Sequence, residues 1–335
     1  MTEISVQRIG IIGAGAWGTA LALVASRAGR TVVIWAHEPE VAEDINRNHI
    51  NPLYLPGIAL DPKIQATTDP AEVAEADAVL LTMPAQHLRR IARRLAPIWR
   101  AGTPALICAK GIEQKSGALL SEVVAEELPS AAIAVLSGPT FASEVARNLP
   151  TALTLAARNA ELAATLAHAL GTPYFRAYTS GDVVGVEIGG AVKNVIAIAC
   201  GIVEGRKLGD NARAALITRG LAEMTRMAIA KGGEARTLMG LSGLGDLTLT
   251  CNAVQSRNFS LGVALGRNRP LPAILAERTT VAEGVFSASS VVALAARLGI
   301  EMPICAAVDA VLNRGANLES MIAALLARPV GAETD

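Results

Sequence analysis

The sequence predicts an α/β fold in two parts, a parallel sheet flanked by helices and then an all-helical half. Three observations carry that prediction. Over the first 180 residues, apolar strand-like runs alternate with helical patterns, the sequence form of repeated βαβ units. After about Tyr178 the periodicity becomes helical, with no convincing strand between Gly181 and Ala327. Between the first apolar run and the first helical pattern stands Gly13-Ala14-Gly15-Ala16-Trp17-Gly18, where a dinucleotide-binding βαβ unit carries its glycines.

The elements follow in order. Arg8–Gly13, Thr31–Trp35, Asp77–Thr82, Pro104–Cys108 and Ile133–Leu136 are continuous β-branched or leucine runs bounded by turn residues. Such runs read as parallel strands buried on both faces. Ala16–Gly29, Glu38–Asn48, Pro84–Leu95 and Ser116–Glu127 read as the helices between them. A further strand pair, Thr151–Leu155 and Pro173–Tyr178, flanks a helix near Ala160–Leu170. In the second half, breaks fall at Gly209-Asp210, Gly232-Gly233, Gly243–Gly245, Pro270–Pro272 and Pro303. The expected division is a Rossmann-type domain over residues 1–180 and a helical catalytic domain over 181–330, with a cleft between them.

Composition limits the partners. At 335 residues the chain is long enough for two cores, and 51% hydrophobic against 18% charged residues suits dense packing rather than disordered tails. Thirty basic and thirty acidic residues cancel, which argues against nucleic acid or an anionic membrane as partner. A small-molecule substrate gripped by a few placed charges is expected instead, and a homodimer is compatible with the composition. Cys108, Cys200, Cys251 and Cys305 are widely spaced without a CxxC pair or a nearby histidine, so reduced thiols and no metal are expected. No secretory pattern precedes the first strand, which points to the cytoplasm. Val183–Val203 is apolar and long enough to span a bilayer, yet it contains Glu187, Lys193 and Asn194. Each central charge costs ~2.5–3.5 kcal/mol on insertion, so a buried core helix is expected rather than stable membrane insertion.

The glycine turn has a physical reading. Gly13 permits the tight turn, Gly15 lets backbone approach a pyrophosphate, and Gly18 lets helix and strand pack closely. The helix N-terminus then offers free N–H groups to the phosphates. At the end of the second strand, an NAD-specific site carries an acidic residue for the ribose hydroxyl; here the position is His37, followed by Glu38. An imidazole tolerates a 2′-phosphate, so the expectation is NAD(P)H with NADPH preferred.

Hydride transfer needs a partner for the proton. The four histidines and three tyrosines all precede residue 181, so if the helical half supplies the acid/base, lysine or a carboxylate must do it. Of its three lysines, Lys207 and Lys231 sit in polar or glycine-flanked positions that read as surface charges. Lys193 lies in the apolar run Gly189–Ala197, where burial lowers a lysine's pKa into the range of proton exchange. Gly243–Gly245 leads to Asp246, and Ser256-Arg257-Asn258 supplies a guanidinium and an amide suited to a phosphate. Alone, Asp246 also fits a helix N-cap and Arg257 a solvated charge.

Together with Ala109-Lys110-Gly111, Ser137–Ala142 and Gly190–Val195, these motifs resemble, in order and over nearly the whole chain, the bacterial NAD(P)-dependent sn-glycerol-3-phosphate dehydrogenases. The resemblance implies reduction of dihydroxyacetone phosphate to sn-glycerol 3-phosphate for phospholipid synthesis, with Lys193 as proton donor and acceptor. It implies that Asp246 and Thr250 position Lys193 and the substrate hydroxyls. Lys110, Gly138, Thr140, Asn194, Ser256, Arg257 and Asn258 would surround the substrate, and Ala16, Trp17, His37, Ala142, Val281 and Glu283 would line the cofactor beside Lys110 and Arg257. Ala16 departs from relatives that carry a hydroxyl there. Lysine-dependent 3-hydroxyacid and 6-phosphogluconate dehydrogenases share the two-part plan but space their lysine and asparagine four residues apart, whereas Lys193 and Asn194 are adjacent. A non-catalytic NADP sensor would keep the glycine turn but need not keep Lys193, Asp246 and Arg257 together, and the intact triple argues against it.

Overall fold

A computed structural model of the protein describes residues 6–278 and 282–329. Its strands are β1 (Arg8–Ile12), β2 (Thr31–Trp35), β3 (Ile50–Asn51), β4 (Leu55–Ala59), β5 (Gln65–Thr67), β6 (Ala78–Leu81), β7 (Pro104–Ile107), β8 (Ala132–Ser137), β9 (Thr151–Ala156) and β10 (Phe175–Ser180). Eight of them form one sheet in the order β10-β9-β8-β7-β6-β1-β2-β5, while β3 and β4 form a small antiparallel pair. All neighbours in the large sheet are parallel except β8 and β9. The sheet is therefore mostly parallel, with a parallel β9–β10 pair attached in reverse at one edge.

Alternation along the central strands divides the packing. Ile9, Ile11, Ile34, Leu80 and Leu106 face one apolar core, and Ile12, Val33, Val79, Leu81 and Ile107 face another. Both faces are covered by helices, which is why these strands read as unbroken apolar runs. From β1 the chain steps to β2 on one side and later returns to β6 on the other. The crevice beyond the carboxyl ends of β1 and β6 is a topological switch point.

Several elements differ from the sequence expectation. The helix expected over Glu38–Asn48 is a short α-helix, Pro39–Glu43, continued by a π-helical turn, Asp44–Asn48, that ends at His49 with φ 53°. The helix expected from Ser116 begins at Leu120, because Gly117 turns the chain with φ 66° and the Ser116 hydroxyl bonds Glu113 instead. The pair β3–β4, edge strand β5 and the helices Pro70–Ala74 and Ala142–Ala146 are additional; each is six residues or fewer, too short to show a period.

From Val183 to Leu326 every described element is helical. The 23-residue helix Val183–Gly205 runs through the middle, and the apolar window that would suit a bilayer is buried throughout. Its first turn, through Val183 and Val186, joins a sheet core, and its remainder organises the helical one. It crosses the helix Arg257–Gly266 closely: a Cβ built on Gly201 would lie 2.1 Å from Phe259 O, and one on Gly262 2.1 Å from Ile198 O. This helix thus carries Lys193 from the sheet into the helical core.

Candidate active site

The glycine turn closes on itself and on β6. Gly13 has φ 116°, and its N–H donates to Trp35 O at 3.1 Å. The Thr82 hydroxyl reaches Ile12 O at 2.9 Å and Gly13 O at 2.8 Å. A Cβ on Gly18 would lie 1.9 Å from Gly13 O, so no side chain fits there. A Cβ on Gly15 would meet nothing within 4 Å. Gly13 and Gly18 are thus glycines for the protein's own packing, whereas Gly15 leaves backbone open to a ligand at the start of the Ala16–Arg27 helix. Ala16 and Trp17 open that helix, and Trp17 Nε1 is buried without a hydrogen-bond partner. His37 is exposed just past β2, its ring tilted against Trp35 with centroids 5.9 Å apart. Glu38 accepts a bond from Tyr54 Oη at 3.0 Å.

The chemical centre lies where three segments meet. Asp246 is fully buried and accepts from Lys193 Nζ at 2.5 Å on Oδ1 and from Lys110 Nζ at 2.6 Å on Oδ2. Gly245 precedes it as the helix cap, so Asp246 is not an N-cap; its carboxylate serves the two lysines. Thr250, one helical turn on, donates to Asp246 O at 2.6 Å and accepts from Lys193 Nζ at 2.8 Å. Lys193 is 6% exposed, and burial pulls its ammonium down to about 8. Asp246 opposes that shift and the nearby charge of Lys110 adds to it. The result is an ammonium that can lose its proton near neutrality.

Around this centre the other residues take distinct places. Lys110 also donates to Gly138 O at 3.1 Å, which the Thr140 hydroxyl reaches at 3.2 Å. Ala142 begins the short helix after that loop. Asn194 and Asn258 bond each other, Nδ2 of Asn258 donating to Oδ1 of Asn194 at 2.9 Å, and Gly284 N donates to Asn258 Oδ1 at 2.9 Å. Ser256 caps the Arg257–Gly266 helix, accepting from Phe259 N at 3.2 Å. Arg257 is the first residue of that helix, exposed and without a hydrogen bond from its guanidinium among the described residues. Glu283 Oε2 is buried without a partner, and burial raises its carboxyl to about 7 against the pull of Arg257. Val281 lies outside the described residues. Unpaired buried atoms at Trp17 and Glu283, with open backbone at Gly15, fit a polar ligand such as a dinucleotide.

Comparison with known proteins meets this geometry. A family model described as the NAD-dependent glycerol-3-phosphate dehydrogenase N-terminus matches residues 8–163, and one described as its C-terminus matches residues 182–323. The chain belongs to the NAD-dependent glycerol-3-phosphate dehydrogenase family. It is 56% identical to the glycerol-3-phosphate dehydrogenase [NAD(P)+] of Parvibaculum lavamentivorans over 99% of both chains. It is 66% identical to that of Paramagnetospirillum magneticum over 80% of this chain and 97% of the relative. Among solved structures, the glycerol-3-phosphate dehydrogenase of Coxiella burnetii is similar with a TM-score of 0.93 at 40% identity, covering 97% of this chain and all of that one.

Two features of this dehydrogenase escape a reading of residues alone. Lys110 was legible only through the family resemblance, since nothing local in Ala109-Lys110-Gly111 shows that it meets a carboxylate 136 positions away. Lys231, read as a surface charge, pairs with Glu122 at 2.6 Å and ties the helical half to the sheet half. Its side chain is only 22% exposed.

Proposed function

We propose that Lys193 is the proton donor when this dehydrogenase reduces dihydroxyacetone phosphate to sn-glycerol 3-phosphate, the backbone unit of phospholipids. The observation that carries the reading is the buried Lys193 ammonium, held at 2.5 Å by Asp246 and brought to about 8 by burial. A nicotinamide dinucleotide on the Gly13–Gly18 turn supplies the hydride. Lys193 gives its proton to the carbonyl oxygen; in the reverse direction it takes the proton of the hydroxyl. Asp246 and Thr250 fix its Nζ, so no reorganisation is needed during transfer. Lys110, Arg257 and Asn258 receive the phosphate, with Gly138, Thr140, Asn194 and Ser256 shaping the pocket. Reduction needs protonated Lys193 and falls as pH rises through about 8, while oxidation rises over the same range.

NADPH is the favoured cofactor in this reading. His37 offers no carboxylate against a 2′-phosphate, and the neighbouring Glu38 is engaged by Tyr54. Ala16, Trp17, Ala142 and Glu283 line the cofactor. The chain divides functionally near residue 181, works in the cytoplasm with its four cysteines unpaired and buried, and is compatible with a homodimer. The test is absorbance of NADPH and NADH with dihydroxyacetone phosphate and purified protein. Substrate-dependent oxidation of NADPH at least as fast as NADH is expected. Oxidation with a 3-hydroxyacid's keto form but none with dihydroxyacetone phosphate would overturn the assignment.

A further inference from the structure

One buried carboxyl near the active site has no part in the reaction as described. Glu187 lies on the catalytic helix Val183–Gly205 and is 6% exposed. Its Oε1 accepts from Ser121 N at 2.9 Å and its Oε2 from the Ser121 hydroxyl. It thereby caps the Leu120–Glu127 helix, whose own N-cap, Leu119, has no polar side chain. Beside it is a cavity of about 10 Å³ lined by Lys110, Gly111, Ser137, Glu187 and Gly190 among others.

The cavity has the size and lining of a single-water site. A space of ~10–15 Å³ holds one water when two to four polar groups can bond it. Ser137 supplies one such group, because its Oγ is buried without a partner. Lys110 supplies another: its ammonium has three donors, and the described contacts use two, to Gly138 O and Asp246 Oδ2. A Cβ on Gly190 would lie 2.7 Å from Ser137 Oγ and 3.3 Å from Lys110 Cγ, so both side chains cross the helix at this bare position. Glu187 is one turn before Gly190 and two before Asn194, on the same side of the helix.

We propose that Glu187 is a positioning residue of the reaction, joined through one ordered water at Ser137 to Lys110 and, through Lys110 and Asp246, setting the charge state of Lys193. Two ammonium groups share the single Asp246 carboxylate, and a second carboxylate at Glu187 offsets the excess positive charge. Glu187 and Lys193 are six residues apart on one helix, about 9 Å along its axis. Burial raises the Glu187 carboxyl to about 7, and Glu122 on the facing helix, itself paired with Lys231, adds to the rise. Ionised above that pH, Glu187 favours the protonated form of Lys193, the form that reduction requires.

The inference rests on Lys193 as proton donor, so the test reads Lys193 both through activity and directly. In Glu187→Gln the amide oxygen can still accept from Ser121 while the charge is gone. The alkaline limb of kcat for reduction is expected to move down by ~0.7–1.4 pH units, the shift for a unit charge ~9 Å away at an effective dielectric of about 20–40. Ser137→Ala, which leaves the Ser121 cap intact, is expected to move it the same way by less. NMR titration of the Lys193 Nζ, without substrate, should show the same shifts. An unmoved limb and an unmoved Nζ titration in a Glu187→Gln protein that melts like wild type would overturn the proposal. If that variant does not fold, an unmoved Nζ titration in Ser137→Ala overturns it. If the unmodified protein lacks activity on dihydroxyacetone phosphate, the functional reading fails, and the Nζ titration still decides the coupling.

Discussion

The glycine turn and the lysine cluster are built in opposite ways. The turn is a backbone site: residues 13–18 form it, and Thr82 holds it through main-chain oxygens 70 and 69 positions away. The cluster is a side-chain site whose atoms come from Lys110, Lys193 and Asp246, separated by 53 and 136 positions along the pairs that touch. The turn contains no charge. The cluster buries two, Lys193 and Asp246, with Lys110 half-buried beside them, and breaking a buried ion pair by removing one partner costs about 3–5 kcal/mol. A backbone site can therefore bind with little effect on the protein's own stability, whereas the charge site is part of the helical core. Chemistry at Lys193 and cofactor grip at the turn should be separable.

The largest expected effect tests that separation. Lys193→Ala should lower kcat by about 10²–10⁴-fold, the range for losing a general acid, while the dissociation constant for NADPH, read by its fluorescence, changes little. The remaining Lys110–Asp246 pair keeps the carboxylate from being wholly unpaired, so the protein should still fold. Cofactor affinity falling in step with kcat would mean that the two regions act as one.

Arg257 sharpens the contrast from the substrate side. It is exposed and free of short partners among the described residues, poised for a charge from outside. Arg257→Ala should reduce kcat/KM for dihydroxyacetone phosphate through the loss of a desolvated charge pair, roughly 2–5 kcal/mol. With dihydroxyacetone, which lacks the phosphate, the same change should do little, giving a strongly non-additive cycle. Equal losses on both substrates would make Arg257 a cofactor or packing residue.

The fold was most legible in the sequence where structure is local. The long apolar strands and the GxGxxG turn were visible because their signals occupy one window: Ile9 to Gly18 contains strand, turn and helix start. Short pieces such as Gln65–Thr67 were not, since three residues at a sheet edge show no period. In the site, Lys193 could be picked out as a lone charge in an apolar run. That Lys110 would share Asp246, and that Glu187 would cap a helix of the sheet half, depends on how the two halves pack. Asp246 shows the limit clearly: residue type and a preceding glycine turn suit a cap, and only its burial between two lysines distinguishes the roles.

The smallest expected effect separates two glycines of one turn. Gly15 has φ −68° and ψ 178°, backbone that alanine adopts freely, and an added Cβ meets no protein atom within 4 Å. Gly15→Ala should leave the melting temperature of the cofactor-free protein unchanged or slightly raised, since alanine at a compatible position restricts the unfolded chain by about 0.4–1 kcal/mol. Its cost should appear only with NADPH, as about a tenfold weaker dissociation constant where the methyl group meets the pyrophosphate. Gly18→Ala should do the reverse, because its Cβ would lie 1.9 Å from the Gly13 carbonyl oxygen, main chain that cannot rotate away. That variant should lose roughly 1–3 kcal/mol or more of stability before any cofactor is added. Equal melting losses in both variants would mean that Gly15 packs against the protein rather than facing a ligand, and the turn would then be structural throughout.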